Sequence, residues 1–283
     1  MKAYIHRAIV LILAGLIAPT AVAQSKRKPG AVIIQGGGDA SLRKPEVWET
    51  FIRLAGGPNA NFVFVPTADG AVDLQNLSPE QFPFARLKHV TVLHTRCRSE
   101  ADSDAFVAPL KKATGVWFGS GRSFRLIDSY LHTRFQRELK SFLKRGGVIG
   151  GWSAGGVVLA SYLVHGAILD QRVLVAKGYE EGFGLIANSV IDQRVGAPQK
   201  EADLSEVVEV HPELIGLGLG ESTAILVRGD ILEVIGPGRL TISDNQEHAG
   251  KKYFFLNAGD RFNLKTRSQL AARHRPEPAE AIK

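Results

Sequence analysis

Residues 147–158, GVIGGWSAGGVV, constrain the fold more than any other stretch of this chain. A short run of apolar residues and glycine leads into Gly151-Trp152-Ser153-Ala154-Gly155, and a run of small apolar residues follows. This order predicts a buried strand, a tight turn with Ser153 at its apex, and a helix. The turn is strained and lies close to neighbouring backbone, so small residues on both sides favour a nucleophilic serine. The alternative is a serine that only caps the helix.

The segments before this turn alternate between strand and helix patterns. Each short β-branched run leads into a loop rich in glycine, and the helices are marked by Pro at the start or Gly at the end. The predicted strands with their loops are 31–40, 61–70, 89–95 and 116–121, and the predicted helices are 45–57, 103–115 and 122–147 with a break near Thr133. The alternation predicts a three-layer α/β fold, a mostly parallel sheet with helices on both faces. Residues 223–244 and 252–264 predict a C-terminal antiparallel extension.

The N-terminus has the features of a secretory signal. Lys2 and Arg7 precede an apolar run, and Ala21-Val22-Ala23 forms a cleavage site. A membrane anchor is disfavoured because the run is short and Pro19 interrupts it. We therefore expect a signal peptide at 1–23, a flexible leader at 24–30, one α/β domain at 31–265 and a disordered tail at 266–283, in a periplasmic or extracellular protein without a membrane span after processing.

Composition narrows the function classes. Loss of residues 1–23 lowers the formal charge from +7 to +5, and the basic residues are scattered, so no nucleic-acid partner is expected. The single cysteine, Cys97, excludes an internal disulfide and a CxxC metal site. No metal or cofactor is expected.

The glycine-rich loops at 36–38, 119–121 and 150–156 follow predicted parallel strands. Ligands bind beyond the carboxyl ends of such strands, so these loops are expected to converge around Ser153. The Ala154 N–H points to where an oxyanion would form, and the Gly121 loop is the natural source of a second donor.

Six ordered motifs carry a family resemblance: IIQGGGDA, FVPTADG, VWFGSGRSFRLIDSYL, RGGVIGGWSAGGVV, GYEEGFGLIANSVIDQ and LIGLGLGESTAILVRG. From about Ala31 to Gly238 the chain resembles the cyanophycinase/dipeptidase E family of serine peptidases. The resemblance implies a class I glutamine amidotransferase-like fold. It also implies exopeptidase or dipeptidase activity at aspartyl residues, including the β-Asp-Arg units of cyanophycin. The implied partner is a peptide with aspartyl or arginyl groups, and relatives are often homodimers.

The resemblance assigns roles by position. Ser153 matches the nucleophile, and Asp170 falls near the family's acidic member. Glu221 matches an acidic position near the cleft, where substrate binding and a structural salt bridge are equally open. The expected substrate-binding positions are Gly37, Arg122, Gln193 and Glu221.

The histidine of the family's I-D-Q-H-F segment is replaced by Arg194. Arginine stays protonated at physiological pH and cannot accept the serine proton. Arg194 could instead hold a carboxylate, or it could turn outward or pair with Asp192 or Glu221.

Other bases are weaker candidates. His211 is the best of them. A continuous helix from Ser153 would place His165 about 18 Å away and exclude it. Packed or solvated positions are expected for His132, His248 and His274, and nothing in the spacing favours Lys177 or Lys200.

Three hypotheses follow. The first is an exported serine peptidase with Ser153 as nucleophile, impaired by Arg194. The second is a catalytically inactive homologue that binds acidic peptide or another anionic ligand in the same cleft. The third, an esterase-like α/β-hydrolase using His248, lacks the oxyanion loop of that fold.

Overall fold

The computed structural model describes residues 29–37, 45–72, 87–170, 172–193, 202–220 and 223–271. Two sheets organise these residues, one of nine strands and one of five. The nine-stranded sheet contains β1 (Ala31–Gln35), β2 (Asn61–Val65), β3 (His89–Val92), β4 (Gly115–Phe118), β5 (Val148–Trp152), β9 (Ala224–Arg228), β10 (Ile231–Ile235), β13 (Arg261–Asn263) and β14 (Ser268–Leu270). The five-stranded sheet contains β6 (Ala160–Tyr162), β7 (Ile186–Asp192), β8 (Ile215–Leu219), β11 (Leu240–Ser243) and β12 (Phe254–Leu256).

The parallel half of the larger sheet is the one predicted from the sequence. Its order is β1-β5-β4-β2-β3, and every neighbouring pair is parallel. β1, β4 and β5 are buried along their whole length, as expected for strands covered by helices on both faces. β9, β10, β13 and β14 continue the sheet from β1 as antiparallel strands.

The second sheet was not predicted as a separate unit. Its order is β12-β11-β8-β7-β6, and it joins three parallel strands to two antiparallel ones. The predicted antiparallel extension is therefore divided between the two sheets. Which sheet a strand joins depends on its pairing with segments that are distant in sequence, and the residue pattern of a single strand does not indicate that pairing.

The helices are α1 (Pro45–Ala55), α2 (Arg98–Ala101), α3 (Asp104–Lys112), α4 (Ser123–Tyr130), α5 (Arg134–Lys144), α6 (Ala154–Val157) and α7 (Asp203–Val210). The helices α1, α3, α4 and α5 begin and end close to the predicted positions, whereas α2 and α7 were not predicted. The Ser103 side chain caps α3 by accepting the Phe106 N–H. The predicted break near Thr133 separates α4 from α5. No helix within the described ranges is long and apolar enough to span a membrane.

The helix after Ser153 is a single turn, so the continuous helix considered for His165 is wrong. Two of its four residues, Gly155 and Gly156, are poor helix formers. The chain then pairs with a later segment: the Val158 carbonyl accepts the Phe183 N–H at 2.7 Å, and the Leu159 carbonyl accepts the Leu185 N–H at 2.9 Å.

The expected disordered tail also needs correction at its start. β14 lies within residues 266–271 and pairs with β13. Arg267 anchors the connecting turn, because its guanidinium donates to the carbonyls of Pro212, Glu213 and Leu214 at 2.8 to 3.0 Å. Residues 272–283, the expected signal peptide and residues 24–28 of the leader lie outside the described residues.

Candidate active site

Ser153 occupies the turn between β5 and α6 in a conformation that few side chains adopt. Its φ is 51° and its ψ is −130°. Such backbone costs free energy and persists only where the surroundings impose it. At Gly151, an added Cβ would lie 2.4 Å from the Gly155 carbonyl oxygen, so only glycine fits before the turn.

The Ser153 hydroxyl does not cap the helix, so the capping interpretation is wrong. The helix start is held by the Ser153 carbonyl instead, which accepts the N–H groups of Gly156 at 2.9 Å and Val157 at 3.0 Å. The side chain is partly exposed, and no hydrogen bond links its hydroxyl to another described residue. The turn therefore presents an available hydroxyl at the edge of the sheet.

The loop after β4 lies directly against this turn. A Cβ at Gly155 would lie 2.5 Å from the Phe118 carbonyl oxygen and 2.6 Å from that of Gly119. Gly121 has a φ of 142°, and a Cβ there would lie 2.1 Å from the Ala68 carbonyl oxygen. The two expected oxyanion donors, the N–H groups of Ala154 and Gly121, thus belong to loops in backbone contact.

Gly37 and Gln193 meet at the same edge. The Gly37 N–H donates to the Gln193 carbonyl at 3.3 Å. A Cβ at Gly156 would lie 2.0 Å from Gln193 Nε2, so the glutamine side chain covers the one-turn helix. Gln193 is 4% exposed, and its amide has no hydrogen-bond partner among the described residues. Two expected substrate-binding positions are therefore adjacent to the Ser153 turn.

Arg122 lies at the start of α4 and holds a loop. Its guanidinium donates to the carbonyls of Ala167 at 2.7 Å and Ile168 at 2.9 Å. Arg122 therefore fixes the segment that leads to Asp170.

Asp170 lies on that segment in an ion pair with Arg172, at 3.0 Å. Hydrogen bonds from Arg172 hold the pKa of the Asp170 carboxyl below its ordinary value. The carboxylate is thus an anion engaged by an exposed arginine two residues away.

Four of the described histidines lie within 4 Å of a carboxylate: His132, His165, His211 and His248. His211 ends α7, 3.6 Å from Glu213, with its ring 4.7 Å from that of Tyr162. His132 contacts Glu181 at 3.1 Å, and His248 contacts Asp244 at 2.8 Å in the connection between β11 and β12. Lys177 is exposed. Arg194, Glu221, Lys200 and His274 lie outside the described residues.

His165 and Asp192 form a buried pair. The His165 Nε2 is 3.4 Å from Oδ2 of Asp192, and the two side chains are 8% and 0% exposed. Asp192 directly precedes Gln193, so this pair lies behind the glutamine of the site. The sequence interpretation missed it because it assumed a long helix, whereas the short helix lets the chain return beside β7.

Metal ligands do not cluster in the described ranges, where no group of three His, Cys, Asp or Glu side chains could hold an ion. The chemistry available around Ser153 is that of a hydroxyl, backbone N–H groups and a buried amide.

Comparison with known proteins decides the family. The sequence profile of peptidase family S51 matches residues 32–235. The chain belongs to peptidase family S51. It is a serine-type peptidase by that membership, and its α/β architecture agrees with the fold expected for the family.

Individual relatives cover most of the chain. A cyanophycinase of Geminocystis herdmanii is 27% identical over 263 residues, covering 85% of this chain and 96% of its own length. A cyanophycinase of Nostoc sp. is 28% identical over 268 residues, covering 87% and 89%. The crystal structure of a peptidase from an acI-B1 Actinobacterium has a TM-score of 0.61 at 22% identity and covers 84% of this chain and 98% of its own. That last likeness concerns the fold alone.

Proposed function

We propose that this S51 chain is an exported serine exopeptidase that hydrolyses aspartyl or β-aspartyl peptide bonds through an acyl-enzyme on Ser153. One observation carries the proposal: Ser153 has the strained backbone of a nucleophile turn, and its hydroxyl makes no hydrogen bond to the part of the chain that the structure describes. Strain of this kind is characteristic of catalytic residues. The curated relatives named cyanophycinase support the aspartyl substrate class.

The chemistry follows from the groups around the turn. Ser153 Oγ attacks the acyl carbon while its proton passes to a base, and the carbonyl π electrons move onto oxygen. The N–H groups of Ala154 and Gly121 stabilise this oxyanion. Collapse breaks the C–N bond, the amine leaves with a proton, and water repeats the attack on the ester.

Substrate recognition is assigned to the residues at the same edge. Gly37 and Gln193 lie against the Ser153 turn. We propose that the Gln193 amide binds polar atoms of the substrate and that Arg122 and Glu221 complete the cleft. Asp170 is retained as the proposed acidic partner, with its carboxylate released from Arg172 when substrate binds.

Proton transfer is the impaired step of the proposal. Arg194 stands where the family resemblance calls for histidine, and its guanidinium cannot accept a proton. Loss of a general base lowers rates by about 10²- to 10⁴-fold. In this proposal, His211 is the residue that would accept the Ser153 proton in place of the missing histidine. Its ring lies against Tyr162, so reaching Ser153 would require movement of the end of α7.

The second candidate function rests on the same residue. A permanent cation at position 194 suits recognition of a carboxylate, so the cleft would bind acidic peptides without cleaving them. His248 of the α/β-hydrolase alternative is bonded to Asp244, and membership of family S51 removes the reason for that alternative.

Export and assembly belong to the proposal as well. The N-terminal charge, apolar run and cleavage site support passage to the periplasm or the exterior. A homodimer and a substrate with aspartyl or arginyl groups are expected from the family resemblance.

Labelling with a fluorophosphonate tests the proposal. The probe reacts with nucleophilic serines whether or not the peptide substrate is known. We expect slow labelling of the wild type and none of Ser153→Ala, with Ser120→Ala as the matched control in the neighbouring loop. A β-aspartyl dipeptide series then tests the substrate class. Absence of labelling, together with saturable binding of aspartyl peptides, would replace the peptidase by the binding protein.

A further inference from the structure

Thr67 lies at the carboxyl end of β2 within a chain of buried hydrogen bonds. Its Oγ1 is 2.6 Å from the Tyr130 hydroxyl and 2.9 Å from Nδ1 of His94. The Thr95 N–H donates to the Tyr130 hydroxyl at 3.2 Å. Thr67 and Tyr130 are both 0% exposed, so these groups depend on one another for partners.

One direction of these bonds gives every buried proton in the chain an acceptor. The Tyr130 oxygen accepts the Thr95 N–H, and its own O–H donates to Thr67 Oγ1. The Thr67 hydroxyl then donates to His94 Nδ1, in a neutral His94 with its proton on Nε2. Burial raises the pKa of Tyr130 to about 12, so its proton stays in place.

The backbone beside Thr67 supports the loop of Gly121. The Asp69 N–H donates to the Pro66 carbonyl at 2.9 Å, which closes a turn around Thr67. In that turn the Ala68 carbonyl accepts the Arg122 N–H at 2.9 Å and the Arg125 guanidinium at 3.0 Å. At Gly121, a Cβ would lie 2.1 Å from the same carbonyl oxygen. A shift of the Thr67 turn therefore moves the backbone against which Gly121 is seated.

We propose that Thr67 is a positioning residue for the Gly121 N–H. Hydrogen bonds to Tyr130 and to neutral His94 hold Thr67 itself in place. The inference rests on the proposed function, in which that N–H is an oxyanion donor. An oxyanion donor must be placed to within a fraction of an ångström, so a loosened turn slows the attack while leaving substrate affinity unchanged.

His94 makes the positioning sensitive to pH. His94 lines an open cavity of about 380 Å³ together with Glu100 and Phe106. Arg96 and Glu100 are the charged groups around it, and Tyr130 faces the network from α4. Burial, aided by Arg96 and opposed by Glu100, lowers the pKa of His94. Protonation at Nδ1 would reverse the bond to Thr67, because Nδ1 would then donate, and the buried Thr67 hydroxyl would lose the acceptor of its own proton.

Hydrogen–deuterium exchange of the whole protein tests the coupling without needing activity. Thr67→Val removes the hydroxyl at nearly constant shape, and Thr67→Ser keeps it. We expect Thr67→Val to increase amide exchange of residues 119–122 about tenfold, as for a locally opened segment. Thr67→Ser should match the wild type, and α5 should be unchanged in both. Equal exchange of residues 119–122 in the two variants would overturn the inference, as would equal acceleration in α5.

The rate of fluorophosphonate labelling of Ser153 gives the functional readout. We expect Thr67→Val and Tyr130→Phe to label about tenfold more slowly than the wild type, a part of what loss of a whole oxyanion donor costs. The wild-type rate should fall as His94 is protonated, and His94→Gln should lose that inflection. A wild-type rate and pH profile in Thr67→Val would contradict the inference. If the wild type is not labelled at all, the peptidase proposal fails, and the exchange experiment alone decides the role of Thr67.

Discussion

The nucleophile side and the proton-transfer side of the candidate site are built differently. On the nucleophile side, Ser153, Ala154 and Gly121 are held by backbone in close contact, and glycines fill the places where a side chain would collide. On the other side, Asp170 and His211 are surface residues engaged by their own neighbours. Backbone geometry imposes the first arrangement, whereas the second depends on single side chains that one substitution can replace. The comparison predicts that a substitution can abolish proton transfer while the geometry of the Ser153 turn stays intact.

Arg194→His offers the largest expected effect, because under the proposed function it supplies a proton acceptor at the position where the family resemblance calls for histidine. We expect the labelling rate of Ser153 to rise about 10²-fold or more, the range for general-base catalysis. Arg194→Gln is the matched control, since it removes the charge without supplying a base. Equal rates in the two variants would place the defect outside residue 194 and break the comparison.

The two aspartates beside the site are expected to differ in their effect on stability. Asp192→Asn removes the buried carboxylate that lies 3.4 Å from His165, and a buried polar group that loses its partner costs about 1–3 kcal/mol. Asp170→Asn removes only an exposed ion pair and should leave the urea midpoint unchanged. Urea unfolding measures both. A fall in labelling rate in Asp170→Asn at unchanged stability would support Asp170 as the acidic partner of the proposed function.

Gly155→Ala tests the backbone contact on the nucleophile side. The new Cβ would meet the carbonyl oxygens of Phe118 and Gly119, which cannot move aside as a flexible side chain can. We expect a loss of about 1–3 kcal/mol, as for overpacking elsewhere. Gly119→Ala, where the nearest contact is the Phe64 ring at 3.3 Å, is the milder comparison. Equal melting temperatures for the two variants would show that the turn is less tightly packed than its geometry implies.

The smallest expected effect concerns His94. The pKa of its ring is lowered in the folded protein, chiefly by burial, so the unfolded chain binds a proton more readily. Above about pH 6.5, the unperturbed pKa, His94 is neutral in both the folded and the unfolded chain and does not affect the free energy of unfolding. As the pH falls below that value, the unfolded chain takes up the proton first and the folded protein loses stability. His94→Gln should reduce this acid-induced loss in urea midpoints measured from pH 7 to pH 5. An unchanged pH dependence would remove His94 as its source.

Patterns local in sequence predicted the parallel half of the fold and the Ser153 turn. Apolar runs, helix punctuation and flanking glycines record those features directly, because each is decided within a few residues. The second sheet was missed because its strands pair across long stretches of sequence, as Ala160 of β6 does with Ile186 of β7. His165 was misplaced for the same reason, since its pairing with Asp192 depends on where a one-turn helix ends. Side chains held by distant neighbours, such as Arg122 on the Ala167 carbonyl, leave no periodic signal.

Cys97 gives the molecule a built-in place for a spectroscopic reporter. It is exposed and is the only cysteine of the chain, so a thiol-reactive fluorophore would attach at one position without any engineering. Its N–H donates to Thr95 Oγ1 at 3.0 Å, and the Thr95 N–H donates to the Tyr130 hydroxyl, so two hydrogen bonds connect Cys97 to the buried polar chain at Tyr130. Changes in that interior could then be followed in real time by emission, in the protein as it is encoded.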